Sequence, residues 1–476
     1  MKENKRIIHI LIAMCLLFFS LIGYLTYFEV FVKDEVIAHS SNKRQWDYYG
    51  KRIRGSILDK NGELLAYSEG DVDEQKRIYP HDDLYSHVVG YHSPKYGSSL
   101  VEGVYSQMLN GETSLQSLFD LKDQLFGQRV KGHDVYLTID HSLQKKASEL
   151  MGDRNGVILA MNPESGSILA MVSKPDFNPN EDWLDAHWES LLEDKNAPLL
   201  SRATQGLYPP GSTFKILTAV TAIENNQVKE QYQDQSKLRI DGKDFHNYND
   251  QSYGTMTLKE AFARSSNTIF ASMAVELGQN LLLEQANRVG FNQSLPFVLG
   301  INTSTFPSKT MEKTDLAAAG IGQGEVLMTP FHLAMITSSV VHSGTMMEPK
   351  IVDHVVSDDG RTFYQSRPAV FREVMSSATA AEIRKMMILP VEEGTGTKAR
   401  IKNVTVGGKT GTAENVRTDT GENDTHAWFT GFGDNGEDRI VLTVLMEHSG
   451  STGGQLAAPI AKDLMETYFQ ELADNK

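Results

Sequence analysis

The chain has 476 residues, 46 of them basic and 61 acidic, with a formal net charge of −15 at pH 7. That length accommodates two or three domains and a substantial core, and the acidic balance disfavours nucleic acid or anionic lipid as a main partner. The single cysteine, Cys15, leaves the rest of the chain with no disulfide, no thiolate nucleophile and no Cys-based zinc site.

Lys2, Lys5 and Arg6, against Glu3 alone, precede an apolar run from Ile7 to Phe28. A helix over this run is long enough to cross a bilayer, which takes about 20 residues. The basic flank places the N-terminus in the cytoplasm and the remainder outside. The run exceeds a signal-peptide core, and Lys33, Asp34 and Glu35 separate it from the nearest small-residue pair, Ala38 and Ser40. Met14 before Cys15 argues against a lipoprotein. The expectation is a cytoplasmic tail over 1–6 and an uncleaved, single-pass membrane anchor over 7–28.

Residues 33–50 read as a polar connector. In Arg54 to Ala66, the turn-forming Asp59-Lys60-Asn61-Gly62 lies between short apolar segments, which predicts a β-hairpin. From Glu69 to Val130 periodicity is weak and no fold is assigned. Asp134 to Ile139 predicts a strand leading into a helix from His141 to Met151. Residues 33–150 are therefore expected to form a non-catalytic pedestal, with a second domain over 155–476.

Gly156–Met161 and Ser167–Ser173 predict two strands joined by a turn at Asn162–Gly166, and 174–207 reads as irregular. Tyr208-Pro209-Pro210-Gly211-Ser212-Thr213-Phe214-Lys215 then breaks whatever precedes it, and an apolar helix is expected to start near Ser212. Ser212 and Lys215, at i and i+3, share a face with Cβ atoms roughly 5–6 Å apart. An amine is thus brought near a hydroxyl at a helix N-terminus, where unpaired N–H groups favour developing negative charge. Ser-x-x-Lys recurs at Ser40–Lys43 and Ser142–Lys145, where ordinary surface residues are expected. Only Ser212 has the helix-breaking prefix and the apolar helix behind it.

Leu258 to Leu277 predicts a helix stopped by Gly278, with Ser265-Ser266-Asn267 inside it. Taken alone, such a triplet is solvent-facing or bonded back to the preceding turn. Helical signals return at Asp315–Ala319, Pro330–Ser343 and Thr379–Leu389, and strand-like pieces flank a turn at Asp358-Asp359-Gly360. Gly394-x-Gly396-x-x-Ala399 has dinucleotide-fingerprint spacing but follows a helix and Pro390, so it reads as a loop. Strands are expected at Val404–Val406, Ala427–Gly431 and Ile440–Glu447, then a helix with Ile460, Leu464, Tyr468 and Leu472 on one side. Lys409-Thr410-Gly411-Thr412 combines an ammonium, hydroxyls and a glycine, which suits an extended peptide ending in a carboxylate. Its bland alternative is a solvated lysine on an edge strand.

Ser-x-x-Lys, Ser-x-Asn and Lys-Thr-Gly in this order are the trio of penicillin-binding proteins and class A β-lactamases. Over most of its length the chain resembles a class B, monofunctional penicillin-binding protein of the short A-type. Arg54–Gly62, Leu137-Thr138-Ile139-Asp140, Asn162-Pro163, Asp176–Asn180, Gln323-Gly324 and Trp428-Phe429 are similar to that class's framework. The resemblance implies an α/β fold of the penicillin-binding transpeptidase and serine β-lactamase type: a mainly antiparallel sheet flanked by helices, preceded by a small mostly-β pedestal and one transmembrane helix.

It also implies a peptidoglycan D,D-transpeptidase that is inhibited by β-lactams. Ser212 would form the acyl-enzyme with stem peptides ending in D-Ala-D-Ala. Lys215 would be its base, Ser265 the proton relay, and Asn267 the holder of Lys215 and the substrate amide. Lys409, Thr410 and Thr412 would bind the terminal carboxylate beside Gly411, with the backbone N–H groups of Ser212 and Thr412 as oxyanion hole. No cofactor or metal is implied, and a membrane glycan polymerase of the SEDS type is the implied partner. The alternatives are a D,D-carboxypeptidase, or an anchored scaffold that activates such a polymerase. Ser-Ser-Asn in place of Ser-Asp-Asn counts against a β-lactamase.

Overall fold

The computed structural model describes residues 2–28, 52–71, 74–111, 131–416 and 423–474. Lys2–Tyr27 is one helix, α1, whose large apolar side chains from Leu11 to Tyr27 stand exposed. Among the described residues no helix is long and apolar enough to cross a membrane.

The expected hairpin is formed by Ile57–Leu58 (β1) and Leu64–Glu69 (β2). Asp59 closes it, its Oδ1 accepting from the N–H groups of Asn61 and Glu63 at 2.7 and 2.8 Å. Lys76–Ile78 (β3) and short helices at Leu100–Val104 and Ser106–Leu109 occupy part of the segment whose sequence shows no clear period. They are held by a buried charge cluster rather than by periodicity. Glu102, with no exposed surface, takes Arg54 and Arg77 at 2.7 Å each. Burial by itself raises a carboxylate pKa, but here the two guanidiniums outweigh it and hold Glu102 at about 2. Asp134–Leu137 (β4) runs parallel to β1, and Asp140 caps the helix His141–Met151 (α2) by accepting from the N–H groups of Ser142 and Leu143.

The second unit is built on Gly156–Met161 (β5) and Ile168–Lys174 (β6). Where irregular chain was expected, Glu181–Glu193 is a helix and Arg202–Gln205 a short turn of one. The acidic pair Glu181 and Asp182 in the first turn favours that helix, and Leu184 and Leu191, two turns apart, are its buried positions. Lys215–Glu224 (α3), Leu258–Arg264 (α4), Asn267–Val289 (α5) and Pro330–Val341 (α6) follow. Gly278, expected to stop a helix, instead kinks α5 with φ 77°, ψ 160°, and the helix runs on to Val289.

Val352–Val356 (β7) and Thr362–Gln365 (β8) are the pieces predicted around Asp358-Asp359-Gly360. They complete the pedestal sheet rather than the second unit: the six-stranded order is β8-β7-β4-β1-β2-β3. Val352 faces Leu137 and Val355 faces Val135 across the β7–β4 pair. Ser377–Glu393 (α7), Thr405–Val416 (β9), Asn423–Asp434 (β10), Arg439–Met446 (β11) and Ala457–Asp474 (α8) complete the chain.

The five-stranded sheet β9-β10-β11-β5-β6 is antiparallel throughout. Helices cover both faces, so its central strands are apolar without alternation. Period two still sorts them: Val157, Leu159 and Met161 face one core, while Ile158 and Ala160 face another shared with α2 and α8.

Candidate active site

The turn carrying Ser212 is pinned from three directions. Tyr208 exchanges both backbone hydrogen bonds with Met328, its hydroxyl donates to Glu447, and Trp428 Nε1 donates to Pro209 O at 3.1 Å. Gly211, at φ +53°, donates its N–H to Gly322 O at 2.9 Å. Gly322 is itself at φ +72°, and a Cβ there would lie 2.1 Å from Gly211 O. Both conformation and space therefore demand glycine at 322. Where a helix start was expected, Gly211–Phe214 is a 3₁₀ turn, and the α-helix begins at Lys215. The tighter turn leaves Ser212 half-buried at the site and drives Lys215 wholly into the interior.

The second motif is not inside a helix. The chain breaks between α4 and α5, with Ser265 left-handed at φ 59°, ψ 40°. Ser266 caps α5, its hydroxyl accepting from Ile269 N–H at 3.1 Å, and Asn267 is that helix's first residue. The break aims both polar groups at Lys215. The amine donates to Ser265 O at 2.7 Å and to Asn267 Oδ1 at 2.7 Å, with Ser265 Oγ at 3.2 Å.

The third motif lies on β9, an edge strand, with Lys409 opposite Thr430 and Gly411 opposite Trp428. Lys409 is not solvated. It has no exposed surface and donates to Ser265 Oγ at 2.8 Å and to Thr410 O at 3.2 Å. A Cβ at Gly411 would meet Thr213 Cγ2 at 3.0 Å and Pro210 O at 3.1 Å, so glycine lets β9 lie against the nucleophile turn. Thr412 is half-buried, while the Thr410 hydroxyl is paired with that of Thr395 at 2.6 Å.

Two lysines wholly out of water repel each other and lose hydration, and both effects favour the neutral amine. Lys215 is held well below its ordinary value, first by burial and then by the Lys409 charge, with Asp234 acting in the opposite sense. Burial pushes Lys409 down to about 7. A neutral Lys215 amine satisfies Ser265 O and Asn267 Oδ1 with its two N–H bonds and keeps a lone pair to accept a proton. Among the described residues Ser212 Oγ makes no hydrogen bond, a common feature of a resting site before substrate tightens it.

Five residues singled out by sequence, Ser212, Lys215, Ser265, Asn267 and Lys409, thus converge from four elements, with Thr410 to Thr412 alongside. Ser142 and Lys145 lie on α2, apart from this cluster, while Ser40, Lys43 and the Ser40-Ser41-Asn42 pattern fall outside the described residues. The loop at Gly394–Gly396 brings the Thr395 hydroxyl to that of Thr410. Asp234 and Asn247, which hydrogen-bond to the second motif, were not legible beforehand because no local pattern marks them. In the pedestal, Glu63, His81 and His141 set three possible ligand atoms within 4.8 Å of one another, with His81 Nε2 already 3.0 Å from Glu63.

Residues 156–466 match the penicillin binding protein transpeptidase domain, and 54–135 match the penicillin binding protein A dimerisation domain. The chain is 32% identical to peptidoglycan D,D-transpeptidase PbpA of Mycolicibacterium smegmatis, over 98% of this chain and 99% of that one. Its fold superposes on penicillin-binding protein A of M. tuberculosis in a ceftriaxone acyl-enzyme complex, with a TM-score of 0.82 at 29% identity, covering 88% of this chain and 99% of that one. It is also similar to the D,D-transpeptidase domain of a peptidoglycan glycosyltransferase from Eggerthella lenta, with a TM-score of 0.79 at 31% identity, covering 89% and 99%.

Proposed function

The chain belongs to the penicillin-binding protein transpeptidase family, and from that membership we infer that it is a class B enzyme, a serine D,D-transpeptidase of peptidoglycan that β-lactams acylate. The observation that carries the mechanism is the buried pair of lysines on Ser265, directly behind the Ser212 turn.

Ser212 Oγ attacks the carbonyl of the penultimate D-Ala while its proton passes to the Lys215 lone pair. The backbone N–H groups of Ser212 and Thr412 receive the developing oxyanion. Collapse of the tetrahedral intermediate breaks the peptide bond, and Ser265, in contact with both lysines, relays the proton held by Lys215 to the departing D-Ala amine, which returns Lys215 to its neutral form. Lys409, Thr410 and Thr412 bind the terminal carboxylate on the edge strand, where Gly411 keeps the strand close to the nucleophile. Asn267 holds Lys215 through Oδ1. One hydrogen of its Nδ2 is engaged by His246 O at 2.8 Å, which leaves the other for the substrate amide. The amine of a second stem peptide then attacks the acyl-enzyme, forming the cross-link and regenerating Ser212. Neither a metal nor a cofactor takes part.

The apolar run Ile7–Phe28 and its basic flank support a single-pass anchor with the catalytic domain outside the cell. The pedestal between anchor and catalytic domain, centred on 33–150 and completed by β7 and β8, is the surface on which a membrane glycan polymerase of the SEDS type would act. The decisive experiment is mass spectrometry of the intact protein with excess penicillin, followed by peptide mapping. One adduct on Ser212, stable for many minutes, is expected. Its absence, its appearance on Ser40 or Ser142, or rapid turnover with loss of drug defeats this reading. If Ser212→Ala cells keep a normal wall, the scaffold role stands in its place.

A further inference from the structure

Behind the second motif lies a buried acid that the mechanism above does not use. Asp234 is 1% exposed, and among the described residues no cationic side chain forms an ion pair with it. It is held by hydrogen-bond donors instead. Its Oδ1 accepts from the hydroxyls of Ser266 and Thr268 and from Asn247 Nδ2, and its Oδ2 from Asn247 Nδ2 and from Tyr253 N–H at 2.8 Å. Asn247 is buried too, and its Oδ1 accepts from the backbone N–H groups of Asn267 at 2.7 Å and Thr268 at 3.2 Å.

A carboxylate out of water is destabilised unless hydrogen bonds replace its hydration. A serine in the left-handed region is strained and persists only where its surroundings over-determine it. Both costs meet at one place. Ser265 has no side-chain anchor of its own apart from the lysines it serves. The residues after it, Ser266, Asn267 and Thr268, are all tied to Asp234 either directly or through Asn247. We propose that Asp234 is a positioning residue for acylation: through Ser266, Thr268 and Asn247 it fixes the helix break that presents Ser265 and Asn267 to Lys215. This rests on the reading of Ser212 as nucleophile and Lys215 as base.

The carboxylate also acts through its charge. The charged groups facing the Lys215 amine are Lys409, from β9, and Asp234, from the segment before α4. Lys409 disfavours the ammonium and Asp234 favours it, so removing the Asp234 charge extends the neutral amine to lower pH.

The test is the second-order rate constant for acylation of the full chain by a fluorescent penicillin across pH, with Asp234→Asn and Ser266→Ala. Asp234→Asn is expected to slow acylation at neutral pH by roughly 10–100-fold, the scale of a misplaced catalytic group, and to shift the acid limb to lower pH. Ser266→Ala, which keeps the charge, is expected to slow acylation with the acid limb in place. A folded Asp234→Asn protein with the wild-type rate, or with an unshifted limb, overturns the proposal. If Asp234→Asn does not fold, Ser266→Ala decides alone, and a wild-type rate there overturns it. A wild-type chain that takes no adduct on Ser212 overturns the underlying mechanism instead, so the two failures are distinguishable.

Discussion

Lys215 and Lys409, from a helix and an edge strand nearly 200 positions apart in the chain, both bring their amines to a single atom, Ser265 Oγ, at 3.2 and 2.8 Å. Neither lysine has exposed surface. Two cations cannot share so dry a site cheaply, which favours a neutral amine on one of them; in the proposed mechanism that one is Lys215, the base, while Lys409 keeps its proton for the substrate carboxylate.

That division of labour predicts the effect of removing the base. Lys215→Ala should form the Ser212 adduct about 10²–10⁴-fold more slowly, the usual worth of a positioned base. Rapid-mixing acylation kinetics measure this, and a loss of less than threefold would show that another group takes the serine proton.

Acylation by penicillin should be bell-shaped in pH. On the acid side, protonating Lys215 removes the base. On the alkaline side, Lys409 loses its proton above about 7 and no longer attracts the carboxylate. Lys409→Arg keeps the charge at all accessible pH values. Its alkaline limb should disappear even though the peak rate falls, which a pH series on both proteins would register.

The pedestal should fail in acid. The Glu102 carboxyl is held at about 2, below its ordinary 4.5, so its contribution to stability is complete above about 4.5 and is lost as pH falls through about 2. Glu102→Gln strands two buried guanidiniums and should cost about 3–5 kcal/mol at neutral pH. Chemical denaturation at pH 7 and pH 3 would reveal both effects, and equal stability of wild type and variant at pH 7 would contradict them.

Domain truncation should depend on α2. Leu143, Ala147 and Met151 are fully buried in the same core as α8, and β4 supplies the partner of β7. A protein starting near Asn155 strips both away and should unfold at a markedly lower temperature than one starting before β4. Thermal unfolding of the two, each followed by penicillin labelling, tests this boundary. If the shorter form is equally stable, α2 belongs to the pedestal alone.

The sequence by itself determined the family and the order of its motifs along the chain. Three short motifs, each weak alone, mark the residues proposed as nucleophile, base and carboxylate-binding strand, because those roles need particular side chains at close local spacing. It also located most strands and helices of the second unit, where apolar runs are bounded by glycine, proline and capping residues. The tertiary structure decided what depends on contacts between distant segments. Ser265 sits at a helix break where Asn247 accepts the N–H groups of Asn267 and Thr268 and Asp234 accepts the hydroxyls of Ser266 and Thr268, and no local pattern announces either residue. β7 and β8 join the pedestal because β4 offers an open edge, although some 200 residues intervene. Lys409, readable as a solvated lysine on an edge, is instead wholly buried, since the packing over β9 excludes water from its amine.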